Sequence, residues 1–405
     1  MERTTMRGRI CGTGSYIPEH YYDNNDLAKC VETNDEWIRE RTGIVRRHIA
    51  EEDTTVSMAV KAAKNALTDA KLNADDLDLI LVSTITPNTV IPSTACEVQK
   101  ELGAVNATCF DISAACSGFV YAYNTAQAYI AAGMYQNILV IGSETLSGIV
   151  NWKDRGSCIL FGDGAVAAVI CAEEGEIFPA VTHSDGAKGQ VLACESRQQK
   201  NWQDKENEKQ TYVSMDGQAV FKFAVKKVPE VIGELLQKAD LTEKDIDLFV
   251  LHQANLRIIE SVAKRMKTDL AKFPVNIEEY GNTSSASIPI LLDELNKTGR
   301  LHKGQPVHHP ACFLRKGLGD QSIACDLAFP FQDKQFRIGI TFQTFFKCLF
   351  QIRIRNRMIH CWHPVKIMRH FYVDFFVFCF YFSDHFPVLL LISSRKEVTP
   401  CSLRK

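Results

Sequence analysis

The sequence lacks a strong net charge, a closely spaced cysteine pair and an apolar leader, and each absence excludes a class of protein. Its 405 residues carry 46 Lys and Arg against 48 Asp and Glu, which argues against a general nucleic-acid binder with a basic face for phosphate. None of the 14 cysteines stands in C-x-x-C spacing, so a structural zinc site is not expected. The chain opens Met1-Glu2-Arg3-Thr4 without an apolar segment. This predicts a cytoplasmic protein in a reducing compartment, its thiols mostly free.

What is present is an alternation of short apolar runs with helical patterns, the mark of an α/β protein with buried strands. Leu79–Val82 and Ile138–Ile141 are apolar on both faces and suit central strands covered from both sides. An internal repeat accompanies them. Residues 72–83 align with residues 241–252: an acidic turn leads into a strand of the same length, expected at Leu248–Leu251. Such a repeat predicts two similar lobes, 1–175 and 176–307.

Residues 308–405 break the pattern. They carry 14 Lys and Arg and 6 Asp and Glu, leaving 32 and 42 for an acidic body. Fifteen of the 23 Phe fall between Phe313 and Phe386 with neither helical period nor turn punctuation. The segment reads as an aberrant, out-of-frame or otherwise non-native and disordered tail. A membrane anchor is the rival reading, but Asp374, Asp384 and His385 interrupt the apolar run, and charge at the bilayer centre is costly. No membrane association is expected.

Three short segments could carry chemistry. Cys116 lies where a short strand at residues 109–112 passes through small residues into a helical pattern at 120–132. A helix N-terminus there favours thiolate, although a free Cys is more often a small buried hydrophobe. His252 follows the apolar run Leu248–Leu251 at a strand end, where α/β folds gather function, or is a satisfied structural histidine. Asn282 sits in a turn ahead of another helix, as a functional amide or an ordinary cap.

Taken together, the motifs resemble one family. Ala115-Cys116-Ser117-Gly118, Gly162-Asp163-Gly164-Ala165, His252-Gln253-Ala254-Asn255, the run from Gly281-Asn282-Thr283 to Ile288-Pro289, and Asn34-Asp35-Glu36-Trp37-Ile38 leading into Arg41-Thr42-Gly43-Ile44 occur in the order and spacing of β-ketoacyl-[acyl-carrier-protein] synthase III. The resemblance covers roughly residues 7–307. It implies a thiolase-like fold of duplicated α-β-α-β-α layers, the second lobe lacking its last two strands. The implied reaction is a decarboxylative condensation of a short acyl-CoA, such as acetyl-CoA, with malonyl-[acyl-carrier protein], initiating fatty-acid synthesis and requiring no metal or redox cofactor.

The resemblance also implies roles. Cys116 would carry the acyl group, and His252 with Asn282 would hold the enolate oxygen. Trp37 would stack on the adenine of CoA beside Arg41 and Arg155, with Asn255 along the pantetheine path. Lys222, Arg257, Lys264 and Arg265 would offer a basic face to the acidic carrier protein, with solvated helix faces as the alternative. A homodimer is expected. Gly162-Asp163-Gly164 lacks the third glycine of a dinucleotide fingerprint and is expected to be structural.

The family ends on a segment of the form Gly-Gly-Gly-Leu-Thr-Trp-Gly, whose backbone N–H completes the hole for the thioester oxygen, and this chain has none. An impaired chain acting as an interaction subunit is therefore a competing expectation, as is a secondary-metabolite ketosynthase on the same fold.

Overall fold

Five strands build the first half around one sheet. In a computed structural model, the described residues are 5–195 and 211–301, with the backbone of three short strands beyond them. Strands β1 (Met6–Tyr16), β2 (Leu79–Ser83), β3 (Thr108–Ile112), β4 (Asn137–Glu144) and β5 (Gly164–Glu174) lie in the order β1-β5-β4-β2-β3. β2 runs parallel to β3 and β4, and β5 runs antiparallel to β4 and β1. Every side chain of β2 is buried, as its unbroken apolar run requires of a strand covered on both faces.

Helices supply the covers. α1 (Asp35–Thr42) stands apart from the sheet, whereas α2 (Thr55–Ala70) and α3 (Thr94–Leu102) pack on one face and α4 (Gly118–Ala131) on the other. α2 starts on a reciprocal Thr54–Ser57 cap and turns Ala59, Ala62, Ala63 and Ala66 inward. Small residues on both sides let helix and strand touch backbone to backbone. A Cβ placed on Gly14 of β1 would stand 2.3 Å from the Ala66 nitrogen.

The second half is centred on α5 (Gly217–Lys238), α6 (Leu256–Met266) and α7 (Ser287–Lys297). The repeat is visible in the backbone at a constant offset of 169 residues. The turns Ala74–Asp76 and Glu243–Asp245 correspond, as do Ala115–Ser117 and Ser284–Ala286. So do the left-handed pairs Lys71 with Asp240 (φ 58° and 53°) and Ala115 with Ser284 (φ 49° and 50°).

One expectation needs correction. Leu248–Leu251 pairs with no other described strand, although Leu248 is a single β-bridge residue and Phe249, Val250 and Leu251 are buried between α5, α6 and α7. Burial of its apolar side chains holds the run in place. After Leu301 the only described backbone in this unit is Ala324–Cys325, paired in parallel with Ala180–Val181.

The halves are tied by buried polar groups. Asp293 of α7, fully buried, accepts from Thr13 and Ser15 of β1 at 2.8 and 2.5 Å and pairs with Lys297 at 2.6 Å. Cys11 and Cys171 are joined by a disulfide across β1 and β5, while Cys30, Cys96, Cys109, Cys116, Cys158 and Cys194 are not bridged. The chain divides into two compact units, Met1–Asp333 and Lys334–Lys405. The reading of residues 308–405 as a non-native tail lies outside the described residues, apart from Ala324–Cys325 and a hairpin of Gln351–Ile354 with Arg357–His360. Among the described residues no helix is long and apolar enough to cross a membrane.

Candidate active site

Cys116 sits in the turn Ala115–Ser117 that joins β3 to α4. Ala115 enters the turn with a left-handed φ of 49°, a strained geometry for a residue with a Cβ, of the kind that gathers at functional sites. The thiol-bearing residue is partly accessible, while Ser117 and Gly118 behind it are buried. Gly118 has no room for a side chain: a Cβ there would lie 1.8 Å from Ser83 Oγ at the end of β2. α4 begins without a side-chain cap, so its first N–H groups and its dipole are directed at the turn that holds the thiol.

Asn282 is held from both sides of its peptide. Its N–H donates to Leu160 O at 2.8 Å and its carbonyl accepts from Gly162 N at 3.1 Å. Its side-chain Oδ1 accepts from Ser284 N at 3.0 Å, which fixes the amide orientation and leaves Nδ2 as a donor without a protein acceptor among the described residues. The turn Ser284–Ala286 that follows packs against the turn of Cys116.

His252 ends the buried run Leu248–Leu251 and remains partly accessible. Its Nδ1 lies 2.5 Å from Ser287 Oγ, and the same Oγ accepts from Gln253 N at 3.3 Å. The Ser287 hydroxyl can give its own proton to Nδ1 while its oxygen accepts from Gln253 N, and in that tautomer the neutral ring carries its proton on Nε2. Desolvation lowers the His252 pKa to about 4, so the ring is neutral at pH 7. In that tautomer His252 Nε2–H is a neutral donor, as Asn282 Nδ2–H is.

The remaining expected residues fall in two groups. The guanidinium carbons of Arg155 and Arg41 stand 4.8 and 5.7 Å from the centre of the Trp37 ring, close enough for cation–π attraction. Asn255 caps α6 through Arg257 N at 2.9 Å and donates to Arg41 O at 3.0 Å, so both ends of its amide hold the frame beside Trp37. Lys222 on α5 and Arg257, Lys264 and Arg265 on α6 are exposed on two helices that pack together.

Asp163 is structural, as the sequence suggests. It is fully buried and accepts from Ala50 N, Ser147 N and Ser147 Oγ, while burial pushes its pKa up. Three residues escaped the sequence reading. Ser287 occupies the repeat position of Gly118, and Arg47 lies fully buried with its Nη2 on Ile159 O at 2.9 Å. Glu144, also fully buried, ends a strand otherwise free of charge. Only the last had a visible signal, an acid closing an apolar run.

The lowered His252 pKa has a signed consequence. Between its ordinary value of 6.5 and about 4, the unfolded chain binds a proton that the folded chain refuses. Its contribution makes stability fall as pH drops through that window and leaves it flat above. His252→Gln is expected to remove this slope from urea midpoints measured between pH 4 and 7. An unchanged slope would mean the imidazole titrates normally.

Comparison with known proteins gives the family. Residues 110–186 match the family model 3-oxoacyl-[acyl-carrier-protein (ACP)] synthase III, and residues 236–311 match the model of its C-terminal part. The chain is 48% identical over 301 residues to the β-ketoacyl-[acyl-carrier-protein] synthase III of Clostridium novyi, covering 74% of this chain and 93% of that protein. It is 50% identical over 299 residues to that of Clostridium kluyveri, with coverage of 74% and 93%. Among solved structures, the 3-oxoacyl-[acyl-carrier-protein] synthase III of Aquifex aeolicus superposes with a TM-score of 0.68 at 44% identity, over 73% of this chain and 93% of that one. The priming β-ketosynthase of the R1128 polyketide pathway gives 0.71 at 34% identity, over 78% and 98%. With 48% and 50% identity across 93% of two relatives' length, the chain belongs to the β-ketoacyl-[acyl-carrier-protein] synthase III family.

Proposed function

We propose that the chain condenses a short acyl-CoA, acetyl-CoA as the working case, with malonyl-[acyl-carrier protein] to give 3-oxoacyl-[acyl-carrier protein], CO₂ and CoA. The observation that carries this reading is the packing of the Cys116 turn against the turn that follows Asn282, with His252 held neutral nearby in the fold. Cys116 sulfur attacks the thioester carbonyl, a new C–S bond forms, and CoA leaves with the proton the thiol gave up. Malonyl then loses CO₂, and the electron pair of the broken C–C bond passes into an enolate. His252 Nε2–H and Asn282 Nδ2–H stabilise its oxygen. The enolate carbon attacks the acyl-enzyme and expels Cys116 as thiolate, which is reprotonated.

Neutral donors suit this step. They strengthen as charge grows on the oxygen and have no charge of their own to desolvate. The Trp37, Arg41 and Arg155 cluster fits the adenine and phosphates of CoA, with the Asn255 backbone corner beside it. Incubation with acetyl-CoA should add one acetyl group by intact-protein mass spectrometry, absent in Cys116→Ala. Asn282→Ala should keep the adduct and lose about 10²–10³ in condensation rate. No adduct on folded wild type would favour a catalytically impaired interaction subunit.

The second reading, a priming ketosynthase for a secondary metabolite, is favoured by the superposition on the R1128 enzyme. Rates with a series of acyl-CoA primers separate the two, acetyl preference supporting fatty-acid initiation.

Lys222, Arg257, Lys264 and Arg265 form the basic face that fits an acidic carrier protein. Arg257→Glu with Arg265→Glu should raise KM for malonyl-[acyl-carrier protein] at low salt and leave acetylation by acetyl-CoA unchanged. An unchanged KM would assign the face to solvent.

A homodimer completes the reading. β3 is an edge strand with no outer partner among the described residues, and Val90 and Ile91, 88% and 87% exposed, lie on the loop before α3. Open apolar edges are ordinarily covered. Sedimentation of wild type as a dimer and of Ile91→Asp as a weaker one supports it; a monomer at micromolar concentration refutes it.

A further inference from the structure

Glu144 is a buried ionisable group that the proposed chemistry leaves unused. It is fully buried at the end of β4, and donors converge on it from both halves of the molecule. Its Oε2 receives Ile85 N at 3.1 Å, Thr86 Oγ1 at 2.8 Å and Thr84 Oγ1 at 3.2 Å, all from the segment that leaves β2. The protons in these contacts are accounted for. Thr86 Oγ1 itself accepts from Thr145 N and Thr84 Oγ1 from Thr86 N, so each hydroxyl has its proton to give to Oε2.

Oε1 is different. It lies 2.9 Å from Ser285 Oγ, and the same Oγ lies 3.1 Å from Ser83 O. A hydroxyl has one proton, and a peptide carbonyl can only accept. If the Ser285 hydroxyl donates to Ser83 O, the contact with Oε1 is a hydrogen bond only when the carboxyl supplies the proton.

We propose that Glu144 is a positioning residue acting as a neutral carboxylic acid, its Oε1–H donating to Ser285 Oγ, whose hydroxyl donates on to Ser83 O. Burial without a cationic partner among the described residues acts in the same direction and raises the Glu144 pKa, outweighing the hydrogen bonds from Ile85, Thr86, Ser285 and Ser284 that lower it. The relay runs between the two parts of the site. Ser285 is in the turn that follows Asn282, while Ser83 is the residue against which Gly118, two residues past Cys116, is packed. Glu144 therefore sets the distance between the nucleophile turn and the asparagine turn from behind, without touching substrate. As a role in catalysis this rests on the condensation reading above; the protonation state does not.

The test compares wild type, Glu144→Gln, Glu144→Leu and Ser285→Ala in the full chain, reading three quantities. The first is the infrared carbonyl band of a protonated carboxylic acid at neutral pH, as the difference between wild type and Glu144→Gln. The second is acetylation of Cys116, and the third the condensation rate per acetylated enzyme. A glutamine amide can give N–H to Ser285 Oγ and offer its oxygen to Ile85 and Thr86. Glu144→Gln should therefore fold, lose the band and condense within roughly threefold of wild type, one neutral hydrogen bond replacing another.

Glu144→Leu should acetylate and yet condense about 10²-fold more slowly, the cost of a small misplacement of a catalytic group. Ser285→Ala should move the same way. The proposal falls if no protonated-acid band is lost, if Glu144→Gln fails to fold or condenses as poorly as Glu144→Leu, or if the variants lower acetylation and condensation equally, as a merely structural role would. A wild type that neither acetylates nor condenses would sink the functional reading instead, and the infrared band would still decide for or against a neutral Glu144.

Discussion

The site depends on one close contact: the turns Ala115–Ser117 and Ser284–Ala286 are brought together where side chains would keep them apart. Gly118 gives way to Ser83, and Gly142 gives way to Ser285, whose carbonyl oxygen would stand 2.9 Å from a Cβ at that position. Both turns are entered by a residue with a Cβ in the left-handed region. Such strain persists only where surrounding packing over-determines it, and here β2, β4, α4 and α7 supply that packing. Cys116 and Asn282 are consequences of this contact, one lying within a turn and the other just before its partner.

Polar groups at the junction are arranged so that charge is kept away. Glu144, Ser285 and Ser83 exchange hydrogen bonds behind the turns, and His252 is kept neutral by desolvation and oriented by Ser287. Charge is placed outside, on Arg41 and Arg155 beside Trp37 and on the exposed faces of α5 and α6. The division fits a reaction whose reagents carry phosphates and an acidic carrier but whose reacting centre must hold a transient enolate.

Much of this was legible in the residues. The runs at Leu79–Val82 and Ile138–Ile141 became central strands because nothing polar interrupts them, and Cys116 was found where small residues separate a strand from a helix. The strand expected at Leu248–Leu251 is seen among the described residues as a buried run with a single bridge residue at Leu248, since an apolar pattern reports burial more directly than pairing. Ser287 and Arg47 were invisible because their importance lies in what they touch across the fold: a ring nitrogen 35 residues away for the serine and a carbonyl 112 residues away for the arginine. Glu144 had a signal in sequence, yet its proton is inferred only from the number of acceptors around Ser285.

The constant offset between the halves places Ser285 where Cys116 stands and His252 where Ser83 stands. The molecule is thus a symmetric frame with asymmetric decoration. One elbow retains a sulfur able to form a covalent bond, and its twin presents a hydroxyl tied down on both sides and unable to compete for the acyl group. Duplication in such a frame separates two demands that a single elbow could not meet at once: the sulfur must stay reactive and exposed, while the support behind it must be inert and enclosed.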